Sequence, residues 1–253
     1  MRLVAWNCAM ALHRKWDALL SLRPDVAIIS EAAEPDRLIA REPAIADHSL
    51  VWIGNKPNKG LLIIGLGGVT LEMSQYRYDT RLHWIAPVSV HGLPGMFEPL
   101  RLLGVWAQNA NEGNRQKTNP GYLQEALKRY RRFLKDGPAV VAGDFNNHVV
   151  WDKPGWRMNH ANEITALGRL DLVSAYHAAR GIVAGEEEDP TLYWRDRTID
   201  GPTYHIDYVF IRECWTRRPF TLDVGGFEEW VGSGLSDHVP LTLDIDLGAP
   251  GST

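Results

Sequence analysis

The residues of this chain best suited to chemistry stand where apolar runs stop: Asn7, Glu31, Asp144, Asn146, Asp207 and the adjacent Asp237 and His238. The most informative stretch is AVVAGDFNNHVVW, Ala139 to Trp151. Its first four residues read as a buried strand after the Gly137-Pro138 breaker. Gly143 then allows a tight turn, and Asp144 and Asn146, two positions apart, project the same way if the chain stays extended. An Asx-type turn, in which Asp and Asn merely satisfy the backbone, is the alternative for this stretch alone.

Taken together, these residues suit phosphate ester hydrolysis assisted by a hard cation. Magnesium takes oxygen ligands, so Glu31 and Asp237 with Asn7 would suffice, and manganese is the natural substitute. His238 could then donate to the developing phosphate charge while Asp207 fixes its tautomer. Asp144 could orient or deprotonate the attacking water.

The elements that must position these groups are legible in outline. Arg2 to Trp6, a helical pattern over Leu12 to Leu22, and Asp25 to Ser30 form a strand-helix-strand unit. That places Asn7 and Glu31 at matching carboxyl ends of neighbouring strands, where open α/β sheets carry their sites. Residues 49 to 106 read as a strand meander without a helix. Pro120 to Lys135 reads as one helix, capped by Asn119, with Leu123, Ala126, Leu127, Tyr130 and Leu134 inward and a basic outer face. A helix is expected near Ala161 to Arg169, and the acidic run Glu186 to Asp189 reads as a surface loop. Strands follow at Thr191 to Trp194, His205 to Ile211, Thr221 to Val224 and Leu241 to Ile245.

With 253 residues, 45% of them hydrophobic and 23% charged, the chain can bury a substantial core in one domain. We expect that domain over residues 1–247 and a flexible tail at 248–253. A net charge of −4 argues against a surface that grips polyanions everywhere, and leaves room for a local basic face. Two distant cysteines, Cys8 and Cys214, exclude a disulfide framework and a cysteine zinc site. The amino terminus lacks a signal peptide's layout and no run approaches a membrane span, so a cytoplasmic monomer is expected.

WNC at 6–8, the strand ending in Glu31, GDFN at 143–146, HIDYVF at 205–210 and SDHVPL at 236–241 resemble, in order, the motifs of the endonuclease/exonuclease/phosphatase superfamily. That group includes exonuclease III, abasic-site endonucleases, deoxyribonuclease I, sphingomyelinases and inositol polyphosphate phosphatases. The resemblance implies a four-layer α/β sandwich, two mixed β-sheets face to face with helices on the outer faces. It puts Asn7 and Glu31 on metal positions, Asp144 and Asn146 on water-activating and phosphate-contacting ones, and Asp237 on the metal side. Asp207 and His238 fall on the carboxylate and imidazole dyad. After the central strand the chain reads LLGVWAQN, without the T-H-L-like histidine of many relatives. There Gln108 resembles an amide of the exonuclease III-like group, and Trp106 and Asn109 flank it as candidate substrate contacts. His160, after the GDFN turn, is a further candidate contact. Trp106, Trp151, Trp156, Trp194 and Trp230 either stack on bases or fill the core. The implied function is a magnesium-dependent phosphodiesterase acting on nucleic acid; the alternative is the same chemistry on a small phosphorylated metabolite or lipid headgroup.

Overall fold

The computed structural model describes residues 1–108, 116–195 and 197–248. Two six-stranded sheets dominate it. The first is built from β1 (Arg2–Asn7), β2 (Val26–Ala32), β3 (Ser49–Lys56), β4 (Lys59–Gly65), β13 (Phe220–Val224) and β14 (Leu241–Ile245). Their order is β13-β14-β1-β2-β4-β3. The second contains β5 (Thr70–Met73), β6 (Ile85–His91), β7 (Leu100–Trp106), β8 (Ala139–Asp144), β9 (Leu172–Ser174) and β12 (Asp207–Arg212), in the order β5-β6-β7-β8-β12-β9. Each sheet has one parallel pair, β1 with β2 and β7 with β8, so both are mixed. A short ribbon, β10 (Leu192–Tyr193) with β11 (Thr203–Tyr204), lies beside them.

Side-chain alternation explains the layering. In β1, Leu3 and Ala5 join the core between the sheets, while Val4 and Trp6 join an outer core. In β12, Val209 and Ile211 face the inner core and Tyr208 and Phe210 the outer one. Strands buried on both faces need helices outside, and these are present. Trp16 and Leu19 of α1 (Trp16–Ser21) and Leu38 of α2 (Pro35–Ile39) cover the first sheet. Residues of α3 (Tyr122–Arg129), α4 (Arg131–Lys135) and α5 (His160–Gly168) cover the second. The expected four-layer α/β sandwich is what the chain forms. No helix among the described residues is long and apolar enough to cross a membrane.

Some elements differ from the sequence reading. Leu12 to Leu22 is a turn of 3₁₀ helix followed by α1. The single helix expected at Pro120 to Lys135 starts only at Tyr122, because Gly121 has φ 86°, and Asn119 accepts from the Gly121 N–H instead of capping. It then breaks at Tyr130, whose hydroxyl accepts from the Asp79 N–H at 2.8 Å and donates to the Arg77 carbonyl at 3.2 Å. Nor is the acidic run merely surface. The Glu187 carboxylate is buried, with one oxygen 3.2 Å from His148 Nε2 and the other 2.9 Å from His177 Nε2. It ties α6 (Ala175–Arg180) to the loop that follows the GDFN turn.

Candidate active site

The inward alternation of three strands continues, at one rim, into polar residues. Position 7 follows Leu3 and Ala5, position 144 follows Val140 and Ala142, and position 207 precedes Val209 and Ile211. Because β8 and β12 are antiparallel, the end of one meets the start of the other, and Asp144 stands opposite Asp207. Gly143 makes this possible with φ 135°. The turn bearing His238 is fixed from β1: Ser236 donates to the Asn7 carbonyl at 2.7 Å, and Trp6 Nε1 donates to the His238 carbonyl at 3.0 Å.

His238 Nδ1 is 2.8 Å from Asp207 Oδ2, and both side chains are buried. Thr191, buried behind them, accepts from the N–H groups of Ile206 and Asp207. One ligand atom from each of Asp144, Asp207 and His238 lies within 4.8 Å of the others. Asp144 Oδ2 accepts from Asn7 Nδ2 at 3.0 Å and Asn146 Nδ2 at 3.1 Å, and its Oδ1 accepts from the Asn146 N–H at 2.9 Å. Asn146 has φ 48°, a conformation held by these bonds and by its donation to the Ala107 carbonyl.

The electrostatics follow from burial and charge. Burial, then the charge of Asp207, raises the Asp144 carboxyl to about 7, against His238 and the donors on Asn7 and Asn146. Burial opposes the His238 cation, but the Asp207 charge and hydrogen bond, helped by Asp144 and Asp237, raise it to about 10. At neutral pH the imidazole is therefore a cation facing acids.

Glu31 and Asp237 stand nearer the solvent. A bulge between Ser30 and Ala32 ejects Glu31 from the ladder with φ 63°, and its Oε1 is 3.0 Å from Lys59 Nζ. Asp237 is 3.5 Å from Arg197. Both acids favour the charged form of the Lys15 ammonium, against the burial that lowers its pKa. No group of three His, Cys, Asp or Glu that includes either of them is as close as the Asp144 cluster among the described residues. Asn7 Oδ1 accepts from the Ala9 N–H at 3.1 Å.

The donor chemistry of this rim fits a hard cation. Carboxylate and amide oxygens dominate it, Asp207 Oδ1 is buried without a partner, and Asp144 is destabilised as an anion.

The remaining expected contacts divide. Trp106 and Gln108 line a cleft beside Lys59, although the Trp106 indole is largely buried. Asn109 lies outside the described residues. His160, expected as a contact, is not among the residues lining the cleft beside Asn146. It is fully buried, stacked on Tyr208 at 4.6 Å, with Nδ1 2.9 Å from the Oε2 of buried Glu163. That same oxygen accepts from Asn147 Nδ2 at 3.0 Å, so His160 and Glu163 brace the turn from behind. Of the tryptophans, Trp230 is core against Trp6, whereas Trp151 and Trp194 are partly exposed. They line a cleft of about 580 Å³ with Asn146, Asn147, Tyr204 and Met158. The reading missed Glu163, Thr191, Lys59 and Arg197; no pattern in the chain marks them.

Solved structures place this architecture. The 3'-5' exonuclease NExo from Neisseria meningitidis superposes with a TM-score of 0.70 at 18% identity, over 97% of this chain and 100% of that one. An AP endonuclease from Archaeoglobus fulgidus matches with a TM-score of 0.64 at 15% identity, over 97% of this chain and 99% of that one. An endonuclease/exonuclease/phosphatase from Beutenbergia cavernae matches with a TM-score of 0.56 at 16% identity, over 98% of this chain and 72% of that one. The chain has the fold of these three structures. No protein-family model matches the chain, and no curated protein matches it in sequence. Within this shared fold, the acids, amides and imidazole described above meet at one rim of the two sheets.

Proposed function

We propose that this protein is a divalent-metal-dependent phosphodiesterase acting on nucleic acid. The observation that carries this reading is the Asp144, Asp207 and His238 cluster, an acid held near neutrality beside an imidazolium at the rim of the sandwich. Asp144 is the base. Fixed by Asn7 and Asn146, it accepts a proton from water as the water oxygen bonds to phosphorus and the phosphorus–oxygen ester bond breaks. His238, oriented by Asp207, directs its remaining N–H toward the phosphate oxygens as charge develops on them. Asn146, on the edge of the aromatic cleft, commits its backbone N–H and its amide hydrogens to Asp144 and the Ala107 carbonyl, and so acts by aiming the base.

The residues that would hold the cation are Glu31, Asn7 and Asp237, with magnesium or manganese as the fitting ions. When bound, such an ion supplies positive charge against the phosphate and leaving-group oxygens. Nucleic acid is favoured as substrate by the aromatic cleft, where Trp151, Trp194 and Tyr204 offer stacking faces. The similar NExo and archaeal structures are named as nucleases, which agrees with this reading.

The test is a panel of abasic duplex DNA, single-stranded DNA, RNA, bis-p-nitrophenyl phosphate and p-nitrophenyl phosphate, each with magnesium, manganese or EDTA. Metal-dependent cleavage of a nucleic acid is expected. Turnover of p-nitrophenyl phosphate alone would replace this reading with a small-ester phosphatase, and full turnover in EDTA would remove the metal.

A further inference from the structure

The rim lies between two clefts of opposite character. Beside Asn146 is the aromatic one; on the other side a cleft of about 390 Å³ is lined by Asn55, Lys56, Lys59, His83, Trp106 and Gln108, with Trp84 and Tyr122 completing it. It is continuous with the site. Trp106 is the register partner of Asp144 across β7 and β8, and Lys59 Nζ reaches Glu31 at 3.0 Å while lying 5.4 Å from the Trp106 ring centre. Its lining carries two ammonium groups, an imidazole and two amides, and no acid. Lys56 is exposed at the end of β3, with no ion pair among the described residues. The His83 ring is held against Trp84 and Tyr122, at 4.5 and 5.7 Å.

A concave surface lined by donors, with Lys59 paired to Glu31 and Lys56 in no ion pair among the described residues, on a chain of net charge −4, recognises an anion rich in acceptors. We propose that this cleft binds a second phosphate of the substrate, the one next to the phosphate that is cleaved, with Lys56 and Lys59 as its principal donors. The proposal rests on the phosphodiesterase reading and sharpens it. The substrate would be a strand bearing successive phosphates, threaded from the aromatic cleft past Asp144 to the cationic one.

The experiment compares kcat/KM, with magnesium or manganese, on deoxy- and ribodinucleoside monophosphates and on the same dinucleotides with an added 5′- or 3′-terminal phosphate. Wild-type protein should prefer one phosphorylated form by about tenfold or more, the effect of one charged hydrogen bond. Lys56→Gln should cut that preference about tenfold, and Lys56→Arg should preserve it. Lys56 sits at an exposed hairpin end, so these variants should fold. Equal kcat/KM on all three forms, or a preference untouched by Lys56→Gln, overturns the proposal and leaves the phosphodiesterase reading standing. No cleavage of these or of longer strands overturns both. Inorganic phosphate should compete more strongly against the phosphorylated dinucleotide than against the unphosphorylated one; equal competition contradicts the cleft's role.

Discussion

Gly143→Ala should destabilise the protein more than any other single methyl added at the rim. An ideal Cβ there would lie 1.9 Å from the Val105 carbonyl oxygen, 2.9 Å from its carbonyl carbon and 3.2 Å from its nitrogen. These are backbone atoms of the paired strand β7, so no side chain can swing aside, and ordinary contact begins at 3.4 Å. Position 143 also has φ 135°, a region that L-residues rarely enter. Backbone strain of about 1–3 kcal/mol and overpacking of about 1–3 kcal/mol together predict a loss of roughly 2–6 kcal/mol. For a chain this long each kcal/mol lowers Tm by about 2–4 °C, so a loss near ~4 kcal/mol is a drop of roughly 8–16 °C. Gly67→Ala is the control: φ is 60° and nothing lies within 4 Å of its Cβ, so only about 1–2 kcal/mol is expected. Denaturant unfolding and thermal melts of both variants measure the difference. If Gly143→Ala lies within about 1 kcal/mol of wild type, or matches Gly67→Ala, the close approach of β7 and β8 that aims Asp144 is not as described.

Other perturbations separate the roles within the site. Asp207→Asn should lower kcat far more than it raises KM, since the imidazole stays but loses its orientation and charge partner; a pure KM effect would make Asp207 a binding residue. Glu31→Gln should raise the metal concentration needed for half-maximal activity at least tenfold, because a charge is lost with shape kept, and an unchanged metal titration would remove Glu31 from the ligand set. The kcat/KM profile should rise as Asp144 deprotonates, with its acid limb at or below about 7, and fall as His238 deprotonates near about 10. A rate that falls between pH 7 and 9 contradicts these assignments. The same His238 shift works on stability. Its folded pKa is raised from 6.5, so its contribution is fully present below about 6.5 and is lost as pH rises through about 10. The slope of that loss should be smaller in His238→Gln.

Three of the expected site residues end or begin a strand. Asn7, Asp144 and Asp207 follow the inward alternation of apolar neighbours, so period-two patterning alone sends them to the space between the sheets. His238 was legible through its motif, and its distance to Asp207 was anticipated from chemistry. What the chain hid are consequences of tertiary contact. The helix break at Tyr130 depends on Asp79 and Arg77, some fifty positions away, and local propensity carries no trace of it. Glu163 and Glu187 look like ordinary surface acids in the sequence, yet His160, His148 and His177 draw them inside. His160 itself shows the limit of proximity arguments. It follows the GDFN turn closely, but its helix turns the ring inward against Tyr208.

The central claim is that the Asp144, Asp207 and His238 rim hydrolyses a phosphodiester, and the most direct measurement is the single-turnover rate on a cleaved nucleic acid for wild type and His238→Ala, in magnesium, with matched circular dichroism and Tm. Loss of one transition-state contact of this kind predicts a fall of about a hundredfold to a thousandfold. A His238→Ala protein that folds normally and keeps the wild-type rate would contradict the account.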